Sequence, residues 1–366
     1  MPTDAQNRHA ARPLDRNACA ALDAAFDRQG ERRAGLPEEA WYTIARGKTL
    51  VRTPGRQLAQ ALDAPLTHLR DGKKGDVEVR LKVSVMDRRR PADPEIFNTL
   101  ASQMDAEEPA RASEDGRFIA HRTPHTLTCF DRKRRHILAW ISDADELLIY
   151  ERSRPFYFPL LLWCHDRDME VVHAGLVSRQ GRGVLLAGMG GAGKSTVALA
   201  CLCRGWTFLS DDYVAVEKAP GGSFIGHSLY SSSHLAPDHL PRFPHLAKHA
   251  LRGHTPKEDK CLIYLGRIFP DLLARSVPIR AIALPTVKEM EGARICSVSK
   301  AEAFLALAPS SMAMLPLPAK KKMDRMAALV ERVPCFRLEM GPDLDAIPSA
   351  VNKIIEASER AWRHPS

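Results

Sequence analysis

Gly188-Met189-Gly190-Gly191-Ala192-Gly193-Lys194-Ser195 is a complete G-x-x-x-x-G-K-S, a run of residue types suited to holding a polyphosphate. Its glycines let the backbone turn tightly enough for successive N–H groups to face phosphate oxygens, and a helix starting there adds its dipole. Lys194 is then expected to reach the β- and γ-phosphates of ATP and the Ser195 hydroxyl to ligate Mg²⁺, with Thr196 closing the nucleotide-facing stretch. Seventeen residues beyond Lys194 stand two adjacent carboxylates, Asp211 and Asp212. Beside a phosphate loop, one carboxylate can accept the proton of an attacking hydroxyl while the other orients Mg²⁺ or its waters. Twenty-one residues before Lys194, His173 is the one polar side chain in the run Val171 to Val177.

These groups need a strand entering the loop and a helix leaving it. Gly183 to Ala187 is a short apolar run that reads as a strand, and Thr196 to Cys203 reads as a helix closed by Arg204-Gly205. Trp206 to Leu209 reads as the next strand and delivers the carboxylate pair at its end. Further on, the pattern predicts a helix over Lys320 to Glu331, a strand over Cys335 to Leu338 and a last helix from Pro348. From about residue 153 onward, strands therefore alternate with amphipathic helices, the sign of an α/β layer structure.

The preceding part reads differently. Residues 1–60 suggest helical pieces separated by Pro13, Pro37 and Pro54, while Val77 to Val85 alternates as a half-buried strand does. Thr126 to Phe130, Ile137 to Ile141 and Leu147 to Tyr150 read as further strands. The expected organisation is a helical extension over 1–60, a mainly β domain over 61–152 and an α/β domain over 153–366. With no chemical motif before residue 170, the β-rich part is expected to select the acceptor.

Composition sets outer limits. The chain has 366 residues, 45% hydrophobic and 27% charged, which is ordinary for a globular protein. The longest apolar run, Phe156 to Cys164, is broken by Pro159 and is too short to span a bilayer, so a cytoplasmic protein is expected. Cys201 and Cys203 fall inside a predicted helix with no second ligand pair, which reads as packing, not metal binding. A net charge of +9 invites a nucleic-acid reading. However, the runs Arg88 to Arg90, Arg132 to Arg135 and Lys320 to Lys322 lie far apart without a binding motif, so they are expected to be solvated faces and no nucleic-acid partner is expected. A homo-oligomer is compatible with everything above.

The order of a His-bearing strand, a phosphate loop and an Asp-Asp dyad, at spacings of 21 and 17 residues, resembles the catalytic domain of HPr kinase/phosphorylase. The resemblance is strongest over residues 165–217 and looser through Asp259 to Leu265 and Ile279 to Pro285. It implies a P-loop kinase domain of the phosphoenolpyruvate-carboxykinase-like type, using ATP and Mg²⁺ to phosphorylate a hydroxyl, with Ser of a protein or peptide as the expected acceptor. It further implies that Asp211 is the general base held by His173, that Asp212 supports the metal together with Ser195, and that Lys260 contacts the transferring phosphate. The Glu-x-Arg-Gly-x-Gly signature of the HPr enzymes is absent, and Phe224 to Pro237 with Ser231-Ser232-Ser233 stands in its region, so HPr itself is not implied as the acceptor. A small-molecule alcohol as acceptor and a non-catalytic nucleotide-gated binding module are the competing readings; an intact base argues against the second.

Overall fold

Strand-forming residues dominate the centre of the chain, and the computed structural model shows how they are shared between two compact units. It describes residues 13–31, 38–72, 80–88, 94–255, 258–315 and 318–363. One unit comprises residues 1–43, 47–63 and 70–163; the other comprises 44–46, 64–69 and 164–366. The division falls after Trp163, where the sequence suggested a boundary near residue 152.

The smaller unit is built on a seven-stranded sheet in the spatial order Glu38–Ile44, Gly47–Thr53, Leu81–Asp87, His136–Ile141, Thr126–Asp131, Phe118–Arg122, Ala110–Ala112. The strand His136–Ile141 is buried throughout, consistent with the apolar run Ile137 to Ile141. The helices Arg16–Glu31 and Pro94–Ser102 cover one face through Leu22, Phe26, Ile96 and Leu100, packed with Leu138 and Trp140. Each such side chain contributes roughly 1.5–3 kcal/mol on burial.

Two sequence expectations change here, and a third is met over the residues that are described. Residues 38–53 are not helical but form two strands, rich in aromatic and β-branched residues, joined at Ala45-Arg46. Leu147 to Tyr150 is not a strand: a helix begins at Ile149, and the Glu151 carboxylate accepts the Leu148 N–H at 3.0 Å, which favours the helical turn. The alternating strand runs over Leu81–Asp87; Val77 and Val79 lie outside the described residues.

The run Arg132 to Arg135 is also not wholly a solvated face. Arg134 and Arg117 both bond the fully buried Asp131, at 2.7 and 2.9 Å, and both reach Asp23. Burial pushes the Asp131 carboxyl up, but the hydrogen bonds from the two guanidinium groups outweigh it and hold the group below its ordinary range. Asp131→Ala, which removes the buried acceptor of two guanidinium groups that keep Asp23 and Asp27, is expected to destabilise the protein by about 1.5–3 kcal/mol at neutral pH. Because the folded pKa is depressed, the stabilisation is complete above the unfolded value of about 3.9 and is lost as pH falls through the folded one. Denaturant titrations of parent and variant should therefore converge in acid; an undiminished gap near the folded pKa would remove the ionised carboxylate from the explanation.

The larger unit carries an eight-stranded mixed sheet. Its longest strand, Ser276–Val287, runs parallel to Arg182–Ala187 and Cys335–Met340, and most other pairings are antiparallel. Side chains alternate across this sheet. Val184 and Leu186 face the helices Lys194–Cys203 and Ala346–Arg363, whereas Leu185 and Ala187 face Lys300–Met312 and Ala319–Arg332. The protein is thus mixed α/β, with helices on both faces of this sheet. A three-stranded sheet, Ser232–Leu235, Cys261–Tyr264 and Leu251–Arg252, completes the unit. Lys322, expected on a solvated face, is buried, its ammonium donating to the carbonyls of Met312 at 2.7 Å and Leu315 at 3.3 Å. Among the described residues no helix is long and apolar enough to cross a membrane.

Candidate functional site

The strand Arg182–Ala187 ends directly at Gly188, and the helix Lys194–Cys203 starts directly after Gly193. Both glycines are required by conformation: Gly188 has φ 155° and Gly193 has φ 100°, where a Cβ would also run into the end of the Met340 side chain. The loop tip is open, with Met189 67% exposed, while Lys194 at its base is buried at 7%. The Lys194 ammonium donates to the carbonyls of Gly188 at 2.7 Å and Met189 at 3.1 Å, so the loop fixes the cation that its glycines surround. Burial pushes the Lys194 pKa down; the charges of Asp212 and Asp211 oppose this, and Lys260 adds to it. Lys194 thus feels the charges of both aspartates, Asp212 more than Asp211, and of Lys260. Ser195 is half-buried, Thr196 is buried, and Lys260 is exposed immediately ahead of the strand Cys261–Tyr264.

The carboxylates sit in a break in one long strand. Thr207–Ser210 and Tyr213–Lys218 both run antiparallel to Met169–Arg179, with Ser210 opposite Leu176 and Tyr213 opposite His173. Between them the Ser210 hydroxyl accepts the N–H groups of Asp212 at 3.0 Å and Tyr213 at 2.9 Å, closing a local turn. His173 Nε2 lies 2.9 Å from Asp212 Oδ1, so the imidazole holds the second carboxylate and not, as expected, Asp211. The register against Met169–Arg179 shifts by one residue between Phe208 and Ser210, and the turn closed by Ser210 follows it, with Asp212 brought to His173. The His173 backbone N–H donates to Ser311 Oγ at 3.0 Å, and Ser311 Oγ donates to the Leu307 carbonyl at 2.7 Å, tying this strand to the helix Lys300–Met312.

Asp211 is 4% exposed, and Ser233 Oγ donates to its Oδ2 at 2.5 Å. Ser233 was visible in the sequence only as part of a serine run. Its role depends on the strand Ser232–Leu235 passing beside the dyad, a long-range pairing with Cys261–Tyr264 that local patterning does not encode. Ser210 could have been found, because a serine two residues before an aspartate in a turn region is a recurrent side-chain-to-backbone motif. Neither Cys201 nor Cys203 joins a cluster of three or more His, Cys, Asp or Glu able to hold a metal, and no such cluster occurs among the described residues.

Chemically, the arrangement offers backbone N–H groups and a buried cation at a helix start, a hydroxyl beside them, and two carboxylates in different environments. It can hold a polyphosphate and remove a proton next to it. Residues 148–243 match the family described as ScmC, SynChlorMet cassette protein ScmC. The HPr kinase/phosphorylases of two Treponema pallidum strains, Nichols and one of subsp. pallidum, are 38% identical over 61 residues, 17% of this chain and 19% of each relative. The match thus spans about a fifth of those relatives. The structure of the Hpr(Ser) kinase/phosphatase from Coxiella burnetii aligns with 53% of this chain and 99% of that one at 12% identity and a TM-score of 0.28, a likeness too slight to bear on either fold or chemistry. This chain is similar in sequence to HPr kinase/phosphorylase.

Proposed function

We propose that this protein is an ATP-dependent kinase that transfers the γ-phosphoryl group to a hydroxyl, with a serine of a protein or peptide as acceptor. The observation that supports it most is the gathering of buried Lys194, at the start of a helix, with a carboxylate bonded to a histidine. ATP fits the residues present: loop N–H groups and Lys194 would bind its β- and γ-phosphates, and Ser195 with Asp211 would hold Mg²⁺, which when bound offsets the charge of the phosphates.

The roles of the two carboxylates follow from their surroundings. Asp212 is 27% exposed and oriented by His173, so an acceptor hydroxyl can approach it and give up its proton there. Asp211, buried and bonded by Ser233, is shielded from an acceptor, which leaves it the metal-holding role. This exchanges the base and metal roles that the resemblance implies. The acceptor oxygen forms the new bond to phosphorus as its proton passes to Asp212, and the bond to the bridging oxygen breaks with ADP leaving. Lys194 steadies the charge, and Lys260, exposed nearby, meets the transferring group from the acceptor side.

Incubation of the full chain with γ-labelled ATP and a lysate of the source organism should place acid-stable label on a protein or peptide serine. Label on a small molecule would replace the acceptor, and release of labelled phosphate with no labelled acceptor would overturn transfer. The full chain is the right material, because residues 44–46 and 64–69 belong to the larger unit. Ser231 bonds the Pro65 carbonyl through N–H at 2.8 Å and Oγ at 3.1 Å, His68 Nε2 lies 2.7 Å from Ser228 Oγ, and Arg167 reaches the Ala45 carbonyl at 2.7 Å.

A further inference from the structure

A cavity of about 310 Å³ opens in the larger unit beside the helix Ala319–Arg332, walled by Val172, Val216, Phe224 and Leu329 and rimmed by exposed charged residues such as Lys321 and Asp324. It is not the phosphate site. Regular alternation in Met169–Arg179 sends Glu170 and Val172 to the face opposite His173. The volume falls at the lower end of the range for small-molecule sites, about 300–1,000 Å³.

One lining group is unsatisfied. Glu170 is 5% exposed, and its Oε2 has no hydrogen-bond partner. Arg325 Nη1 at 3.5 Å and His165 Nδ1 at 3.6 Å lie beyond hydrogen-bonding length, and the Lys322 ammonium, which feels the charge of Glu170, donates to carbonyls instead. Arg325 is committed elsewhere: Nη2 donates to Asp168 Oδ1 at 2.6 Å, and Nη1 to His165 Nδ1 at 3.1 Å and the Met169 carbonyl at 3.3 Å. Lys321 is engaged as well, 3.1 Å from the same Asp168 oxygen. One oxygen of a buried carboxylate thus has charge nearby but no hydrogen-bond donor, in a residue that lines an apolar cavity, and native proteins rarely leave such an acceptor unmet. A ligand bringing N–H donors would meet it, a positive charge on the donor would strengthen the bond, and the apolar walls would take an apolar body.

We propose that this cavity binds a small primary amine with an aliphatic or aromatic body, its ammonium group on Glu170. Calorimetric titration of the full chain with phenethylamine, 2-phenylethanol and 3-phenylpropionate tests it. Saturable binding of the amine is expected, at least tenfold tighter than the alcohol, with no binding of the carboxylate. Glu170→Gln should weaken the amine at least tenfold, and Ala328→Phe, which fills the cavity, should abolish it, each variant retaining a cooperative thermal transition. Should Ala328→Phe fail to fold, Glu170→Gln and the three probes still decide. No saturable amine binding by the parent, equal binding of amine and alcohol, or unchanged amine affinity in Glu170→Gln would overturn the proposal.

Discussion

Lys194→Ala is expected to lower phosphoryl transfer by about 10²–10³-fold, the usual consequence of removing one preorganised group that stabilises transition-state charge. The effect should be this large because the ammonium is not a mobile surface charge. It is buried and fixed by two loop carbonyls, so no reorganisation is needed when negative charge grows beside it. Stability should move little or rise slightly, since burying that cation costs free energy that only the two carbonyls and the nearby carboxylates offset. Lys194→Met, which keeps the stem, should lose transfer to a similar extent. Steady-state transfer and thermal melting of the same samples make the comparison. Parent-like rates in a folded Lys194→Ala protein would remove the loop from the chemistry and with it the proposed function.

What the sequence made legible was local. Strand, loop and helix around Lys194 were readable because each is signalled within a few residues: an apolar run, a glycine-rich turn, and a helix closed by Arg204-Gly205. The last strand and helix were readable for the same reason, and they appear at Cys335–Met340 and Ala346–Arg363. The hairpin of Glu38–Ile44 and Gly47–Thr53 was not readable, because its two turn residues, Ala45 and Arg46, have φ of 41° and 63°. A turn with both central residues at positive φ normally announces itself with Asn-Gly or Asp-Gly; Ala-Arg there gives no signal. The chain carries the strain of two non-glycine residues in that region, and tertiary contacts compensate for it. The Ala45 carbonyl accepts from Arg167, and Arg46 pairs with Glu217 at 2.5 Å.

At the site itself, residue types could be read but partners could not. Lys320 to Lys322 look alike in sequence, yet the helix Ala319–Arg332 sends Lys322 inward to the carbonyls that end the helix before it, while Lys320 and Lys321 stay exposed. Likewise, spacing put a histidine and two aspartates in one neighbourhood but could not say which aspartate the histidine meets. That choice rests on the backbone between the two strands, where the register against Met169–Arg179 shifts by one residue between Phe208 and Ser210 and the Ser210 hydroxyl then closes a turn.

Asp212→Asn is accordingly expected to lower kcat by about 10²–10⁴-fold while leaving ATP affinity near that of the parent, because a base acts in the chemical step and hardly at all in ground-state binding. Asparagine keeps the shape and can still bond His173, so the protein should melt like the parent. Asp211→Asn should behave differently. Asp211 lies against Ser233, away from solvent, in the metal-holding role proposed for it, so its loss should weaken Mg-ATP binding along with turnover. His173→Gln provides a third point: if the imidazole orients Asp212, kcat should fall less than in Asp212→Asn and the pH profile of kcat should shift, whereas a purely structural histidine would leave that profile in place. Equilibrium ATP binding and single-turnover transfer on the three variants separate these roles. If Asp211→Asn were the variant that kept ATP affinity and lost transfer, the base would be Asp211, and the pairing of His173 with Asp212 would then serve to hold the strand break in shape.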